Sequence, residues 1–320
     1  MSNMQFPFPI QSELTAITLA YTNRRLIADL VLPRSPVGAR EFKWMKMNPS
    51  QMFSPPESKV GRKGVPQEIE YSGTEEASFV EDHGYDSVVP FEDITSAPPG
   101  YDPIGVHVTG NTQQLALKRE KRVADLIFNL NTYPTANRTT LSGTSQWSDY
   151  SNSDPYTAIS TALDGMLMRP NIAIIGRLAW SKLRNHPKIT ASLAPSTTGN
   201  TLTVNGQGSP ASLQAVADLF ELDQIILGES FINTAKEGQT ASMSRCWGKH
   251  MAFLHQNPIA TVRGEAITFG FTAEYGNRVS GSIPEPKVGL RGAQRVRVGE
   301  SLRELITASD VGYFFQNIVA

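Results

Sequence analysis

Between Gln67 and Asp102 lie ten carboxylates and not one Lys or Arg, and this constrains the chain more than any other feature. The ten are Glu68, Glu70, Glu75, Glu76, Glu81, Asp82, Asp86, Glu92, Asp93 and Asp102. They follow a segment of the opposite sign. From Arg24 to Lys63 nine basic residues stand against Asp29, Glu41 and Glu57. A block of like charges repels itself, which makes the asymmetry the most informative feature of the composition. The whole chain carries a net charge of only -1, so no bulk field draws it to nucleic acid or to an anionic membrane. Any electrostatic role must come from this local segregation.

The chain has 320 residues, 40% of them hydrophobic and 18% charged, enough to bury one large core or two modest ones. A single cysteine, Cys246, leaves no internal disulfide framework and fits a cytoplasmic or virion context better than a secreted one. No stretch approaches the roughly 18 apolar residues of a membrane span. Residues Met1 to Ile10 lack the basic and then apolar pattern of an export signal, so the triplet Asn137-Arg138-Thr139 carries little weight as a glycosylation site.

Several segments have readable periodicity. Ala16, Ile17, Leu19, Leu26, Ile27 and Leu30 give the stretch up to Leu32 a mixed polar and apolar character suited to packing along a neighbour. Glu41 to Met47 alternates polar and apolar residues, and Glu68 to Tyr71 with Ala77 to Val80 reads as the returning strand of a long hairpin across a Pro- and Gly-containing tip. An isolated hairpin is marginal in water, so this arm of about 40 residues needs a partner to lie on; the alternative is a solvated surface loop with an incidental charge imbalance. From Thr109 the pattern is helical. Leu115, Leu117, Val123, Ile127 and Leu130 predict a helix over about 111–130 with Thr109 or Asn111 as its cap, and the charges of Lys118-Arg119-Glu120-Lys121-Arg122 are expected on a solvated face.

Asp154-Pro155 starts a second helix over Tyr156 to Met168. Asn171 to Gly176 is a short continuous apolar run, the mark of a strand buried on both faces, and Arg177 to His186 reads as a further helix. A Ser-, Thr-, Gly- and Asn-rich loop is expected over Pro195 to Pro210. Ser212 to Phe220 then predicts a helix, Asp223 to Leu227 a strand, and Arg245 to His255 with Ile267 to Tyr275 further strands of a mixed sheet. Lys287, Arg291, Arg295, Arg297 and Arg303 face only Glu300 in their segment, so Arg291, Arg295 and Arg297 are candidates to contact nucleic acid or to pair with the acidic arm of another subunit. The apolar end, Ser309 to Val319, is expected to be ordered.

Catalytic chemistry is hard to find. His83, His107, His186, His250 and His255 are scattered, and Cys246 with His250 lacks the further ligands of a zinc site. There is no G-x-S-x-G elbow or phosphate loop, and Gly206-Gln207-Gly208 lacks the third glycine of a dinucleotide fingerprint. The acidic segment is not interleaved with His, which suits a charged arm better than an acid/base site. No catalytic, cofactor-binding or metal-binding residue is assigned. One enzyme reading stays open, an α/β protein with an unrecognised site, favoured by the buried strand Ile172 to Ile175 and the helix after it.

In order of features the chain resembles the major capsid proteins of the Hong Kong 97 fold, a family shared by tailed phages, herpesvirus capsid floors and bacterial encapsulin compartments. The most specific stretch is Pro170-Asn171-Ile172-Ala173-Ile174-Ile175-Gly176-Arg177-Leu178-Ala179-Trp180-Ser181-Lys182-Leu183-Arg184-Asn185-His186-Pro187-Lys188-Ile189, similar to the family's passage into the first strand and helix of its axial domain. The resemblance implies an α+β fold. It would comprise an N-terminal arm (1–39), an extended hairpin (40–84), a peripheral domain with a spine helix (85–170), an axial domain with a mixed sheet (171–286) and a return to the peripheral domain (287–320). It implies hexamers and pentamers in an icosahedral shell around double-stranded DNA, assembled in the host cytoplasm and part of the virion, with portal, scaffolding and decoration proteins as further partners and no membrane. An encapsulin-like shell packaging a cargo enzyme is the alternative.

On this reading Arg24, Arg25, Arg34, Lys43, Lys46, Lys59, Arg62 and Lys63 include intersubunit partners for Glu68, Glu70, Glu75, Glu76, Glu81 and Asp82, because complementary rim charges set register and orientation. The long charged N-terminal segment that many relatives carry is missing here, so a separate scaffolding protein, or none, is expected. No Asn can be matched to Lys59 or Lys63 for a covalent crosslink, and noncovalent locking is the expectation.

Overall fold

A computed structural model describes residues 26–46, 55–66, 68, 74–193, 210–236, 238–257 and 267–320, with no side-chain description at 45, 46 and 74. Arg24, Arg25, Glu70, the apolar positions Ala16 to Leu19, the loop expected over 195–209 and part of the hairpin tip lie outside these residues.

The spine of the fold is helix α3, Pro103–Ile127, after two short turns, α1 (Ala28–Val31) and α2 (Phe91–Thr95). It begins well before the expected 111 because Asp102 accepts from Ile104 N at 3.0 Å and Pro103 occupies the first helical position, where its missing N–H costs nothing. Thr109 and Asn111 are therefore not caps. Thr109 back-bonds to Gly105 O, and the Asn111 amide donates to Ser87 Oγ at 2.9 Å. Twenty-five residues of α3 span roughly 37 Å. The buried stripe of the helix runs through Val108, Thr112, Leu115, Arg119, Val123 and Ile127.

Two five-stranded sheets pack along this helix. In the first, strands run in the order β5 (Arg138–Thr140), β14 (Gly312–Gln316), β10 (Met251–Leu254), β6 (Ile172–Gly176) and β7 (Gln224–Gly228). Strands β6 and β7 are parallel, β10 is antiparallel to both β6 and β14, and β5 is parallel to β14, so the sheet is mixed. All five residues of β6 are buried, as a continuous apolar run requires. Ala173 and Ile175 face a core with Trp147, Trp180, Leu183 and Phe220, while Ile172 and Ile174 face one with Val123, Ile127 and Phe314. The helices α4 (Pro155–Asp164), α5 (Arg177–Leu183), α6 (Pro187–Leu193) and α7 (Leu213–Leu219) belong to this region, and residues of each join the first of these cores. Helix α5 stops short of the expected His186 because the residue before a proline is steered away from helical angles, and Pro187 then opens α6.

The second sheet is built on β13 (Ala293–Ile306), which pairs antiparallel with β11 (Gly270–Tyr275), β12 (Val279–Glu285) and β4 (Glu81–Pro90); β1 (Arg34–Val37) joins β11 in parallel. Strand β11 thus departs from the expectation that Ile267 to Tyr275 would extend the mixed sheet. Its Phe271 and Ala273 bury instead against Val80, and Thr272 reaches Leu32 O and Arg119. The stretch Arg245 to His255 is likewise not one strand. β9 (Met243–Arg245) pairs with β8 (Phe231–Asn233), Trp247 turns inward, and β10 follows.

The hairpin emerges from this second sheet. β2 (Glu41–Lys46) pairs antiparallel with β3 (Thr74–Phe79), and β3 passes through Val80 directly into β4. Among the described residues β2 and β3 pair with no other strand.

Candidate functional site: a charged hairpin and its anchor

Arg119 and Glu120 are adjacent in α3 and carry opposite charges, yet both are buried, 2% and 0% exposed. The expectation of a solvated face for Lys118 to Arg122 is corrected at these two positions. Their spacing from Leu115 and Val123 places Arg119 in the apolar stripe, which was the available signal. Glu120 accepts from Ile27 N at 2.9 Å, Ala28 N at 2.8 Å, Ser230 Oγ at 3.2 Å and Trp247 Nε1. The amides at the start of a helical turn lack partners within it, and the carboxylate supplies them. Burial pushes the Glu120 carboxyl up, against the pull of those four donors. At the other end of α1, Arg119 donates to Asp29 and to Thr272 Oγ1 at 3.1 Å, with Leu32 O at 3.4 Å. The short turn α1 is held at both ends by neighbouring residues of one helix.

The network continues into the second sheet. Arg34 binds Asp29 at 2.8 Å, Glu274 at 2.8 Å and Glu300 at 3.1 Å, and Arg278 also reaches Glu300 at 3.2 Å. Burial opposes ionisation of Glu300, but Arg34, Arg278 and Arg119 outweigh it and hold the carboxyl below its usual 4.5. Burial is outweighed at Asp29 too, by Arg119 and Arg34.

The acidic and basic segments meet along β4 and β13. Asp86 lies directly opposite Arg297 in the register and accepts two hydrogen bonds from it, at 2.8 and 2.7 Å, which hold its carboxyl low. Arg295 binds Glu285 at 3.1 Å and lies 3.7 Å from Asp86. Arg303 pairs with Glu81, Arg40 and Ser301 with Asp82, and Arg291 with Glu92 at 3.3 Å. Across the hairpin Lys43 binds Glu75 at 2.9 Å. For Arg34, Lys43, Glu75, Glu81, Asp82, Arg291, Arg295 and Arg297 the structure therefore supplies partners within the chain. Glu76 is half-buried and also engaged. For Arg291, Arg295 and Arg297 the sequence points to nucleic acid or a second copy, because nothing local in it pairs β4 with a strand some 200 residues away.

The tip of the hairpin is different. Lys59, Arg62 and Lys63 are exposed and, among the described residues, have no ion pair. Exposed Val60 and Val65 stand among them, Val65 at 88%, on a turn closed by Gly64 N to Gly61 O at 2.8 Å. Glu68 is exposed nearby, and the side chain of Lys46 is not described.

Groups with chemical potential elsewhere have structural partners. His250 accepts from Asn317 N at 2.9 Å, and burial beside Phe128 and Phe314 pushes its imidazole down to about 4. His186 bonds Ser153, and Cys246 is buried. Among the described residues no group of three or more His, Cys, Asp or Glu is placed to hold a metal ion, and no helix is long and apolar enough to cross a membrane.

Comparison with known proteins places this arrangement. Residues 126–226 match the family described as phage major capsid protein E. The major capsid protein of Pseudomonas phage JBD67 is 49% identical over 320 residues, covering 100% of both chains. Among solved structures, a phage-related protein from Bordetella bronchiseptica RB50 superposes with a TM-score of 0.73 at 19% identity over 98% of each chain. The capsid structure of Cyanophage P-SCSP1u gives 0.58 at 10% identity over 98% of this chain and 91% of its own.

Proposed function

Given that the chain belongs to the phage major capsid proteins and is thus a structural component of the virion, we propose that it builds an icosahedral shell of hexamers and pentamers around double-stranded DNA with the Hong Kong 97 fold and without catalysis. The observation that carries the assembly reading is the β2–β3 ribbon. A two-stranded ribbon with both edges unpaired is marginal alone, and this one, among the described residues, pairs with no further strand and carries cations without an ion pair at its end. A neighbouring copy is the natural platform.

On this reading the mixed sheet with α4 to α7 is the axial unit around which rings form. Helix α3 with the β13 sheet is the peripheral unit that carries the hairpin. A portal acts with the shell, together with a separate scaffolding protein and decoration proteins where the phage encodes them, and assembly takes place in the host cytoplasm. Expression of the chain with its neighbouring genes, followed by negative-stain electron microscopy and light scattering, tests the reading. Closed shells or capsomer rings are expected, with a diameter and contents suited to DNA. Compact monomers that persist in the presence of those genes would overturn it.

A further inference from the structure

Strand β13 follows in sequence every strand it joins, yet it lies at the centre of the second sheet. It pairs with β4, β11 and β12, and among the described residues β4 and β12 have no other strand partner. β11 and β12 lie close before it in the chain, but Pro90 of β4 stands opposite Ala293, some 200 residues later. The small core on that side has the same dependence, because Val89, Val108 and Leu115 bury against Val296 and Val298 of β13. At about 5 to 20 residues per second, synthesis leaves β4 waiting roughly 10 to 40 s for its partner.

The mixed sheet has no such gap. β6 pairs with β7 and β10, so three adjacent strands are present once Leu254 has been made. Helices α4 to α7 precede that residue as well, and three strands packed on helices meet the requirement for a stable sheet. Phe315 and Ile318 join this core afterwards. Helix α3 straddles the two regions: Val108 and Leu115 bury with β13, whereas Val123 and Ile127 bury with Ile172 and Ile174. We propose that β13 is the strand that times assembly: the mixed-sheet unit folds without it, while the hairpin base and the first half of α3 become ordered only when 293–302 pairs with β4. Pairings that close long stretches of chain form late, which gives the same order in refolding as in synthesis. Until then the hairpin has no fixed base from which to engage a neighbour, so chains still being made are kept from joining one another. This last step rests on the shell reading, whereas the folding order does not.

Pulse-labelled hydrogen exchange read by mass spectrometry during refolding of the full chain from urea tests the order. Peptides from β6, β7, β10 and residues 120–127 should gain protection first, and those from β4 and residues 104–116 should gain it with or after 293–302. Protection of β4 while 293–302 is still open overturns the proposal, and so does a single phase for both sheets. A second measurement uses the full-chain variant Val298→Asp, which puts a carboxylate at a fully buried position opposite Ser280 and Tyr85. At equilibrium its β4 and 104–116 peptides should exchange at least about tenfold faster and its particles should be lost, with β6 still protected. Unchanged protection of β4, or loss of β6 together with it, would refute the division. Neither exchange readout depends on particles, so failure of the unaltered chain to form shells would sink the shell reading alone.

Discussion

Replacing Glu120 by Gln keeps the shape of the side chain and removes some of its accepting capacity. The carboxylate serves four donors: Ile27 N and Ala28 N at one oxygen, Ser230 Oγ and Trp247 Nε1 at the other. If the Gln oxygen takes the place nearest the two amides, its amino group meets the indole N–H of Trp247, although the Ser230 hydroxyl can rotate to accept. If the amide flips, Trp247 is satisfied and two backbone amides are orphaned. The first arrangement wins, leaving one buried donor unpaired at about 1 to 3 kcal/mol. Taking ~2 kcal/mol, the opening of α1 from α3 becomes roughly thirtyfold more frequent. Hydrogen exchange read by mass spectrometry on peptides spanning 26–33 should accelerate by that factor, while β6 stays protected. Unchanged exchange would mean that Glu120 is not acting as an ionised acceptor, and uniform acceleration across all peptides would mean that it supports the whole fold and not the arm.

Other tests address the remaining networks. Arg34→Ala leaves the 1%-exposed Glu300 side chain with Arg278 as its nearest remaining cation and should cost about 3 kcal/mol in urea unfolding, whereas Arg297→Ala removes a partly exposed pair and should cost less than ~1 kcal/mol. Because Glu300 and Asp29 ionise below their usual 4.5 and 3.8, their stabilisation is complete above those values and is lost as pH falls through and below them. Glu120, raised in the fold, works in the opposite sense. Tryptophan fluorescence during acid titration should show loosening below about pH 4 that moves to higher pH in Arg34→Ala. Gly228→Ala would place a Cβ 2.2 Å from the Trp247 ring, so it should cost about 1 to 3 kcal/mol and quicken exchange at Ile27 and Ala28, because Trp247 would shift away from Glu120.

What the sequence revealed depended on the range of the interaction. Strand β6 was legible because burial on both faces leaves a continuous apolar run, and helix α7 because Ser212 caps it, accepting from Ala215 N at 3.1 Å. The start of α3 was also written locally, in Asp102-Pro103, but the polar residues Thr109 and Asn111 competed for the same role. The segregation of charge was plain from the residues, whereas its resolution depends on β4 lying beside β13, a pairing that only the folded sheet creates. Arg119 and Glu120 looked like surface charges because their partners, Asp29, Ile27, Thr272 and Trp247, come from segments that no periodicity in α3 announces.

The direct passage of β3 into β4 has a mechanical consequence. A force applied at the hairpin tip is carried along the strand and reaches β13 as shear, parallel to both strands. The bonds of an antiparallel ladder run across the strands, so ten register pairs between Glu81 and Pro90 share the load at once, whereas peeling would break them in succession. Arg297–Asp86 and Arg303–Glu81 add two rivets across the same seam. A lattice joined through such tips would yield first at its contacts between chains and only later inside its subunits.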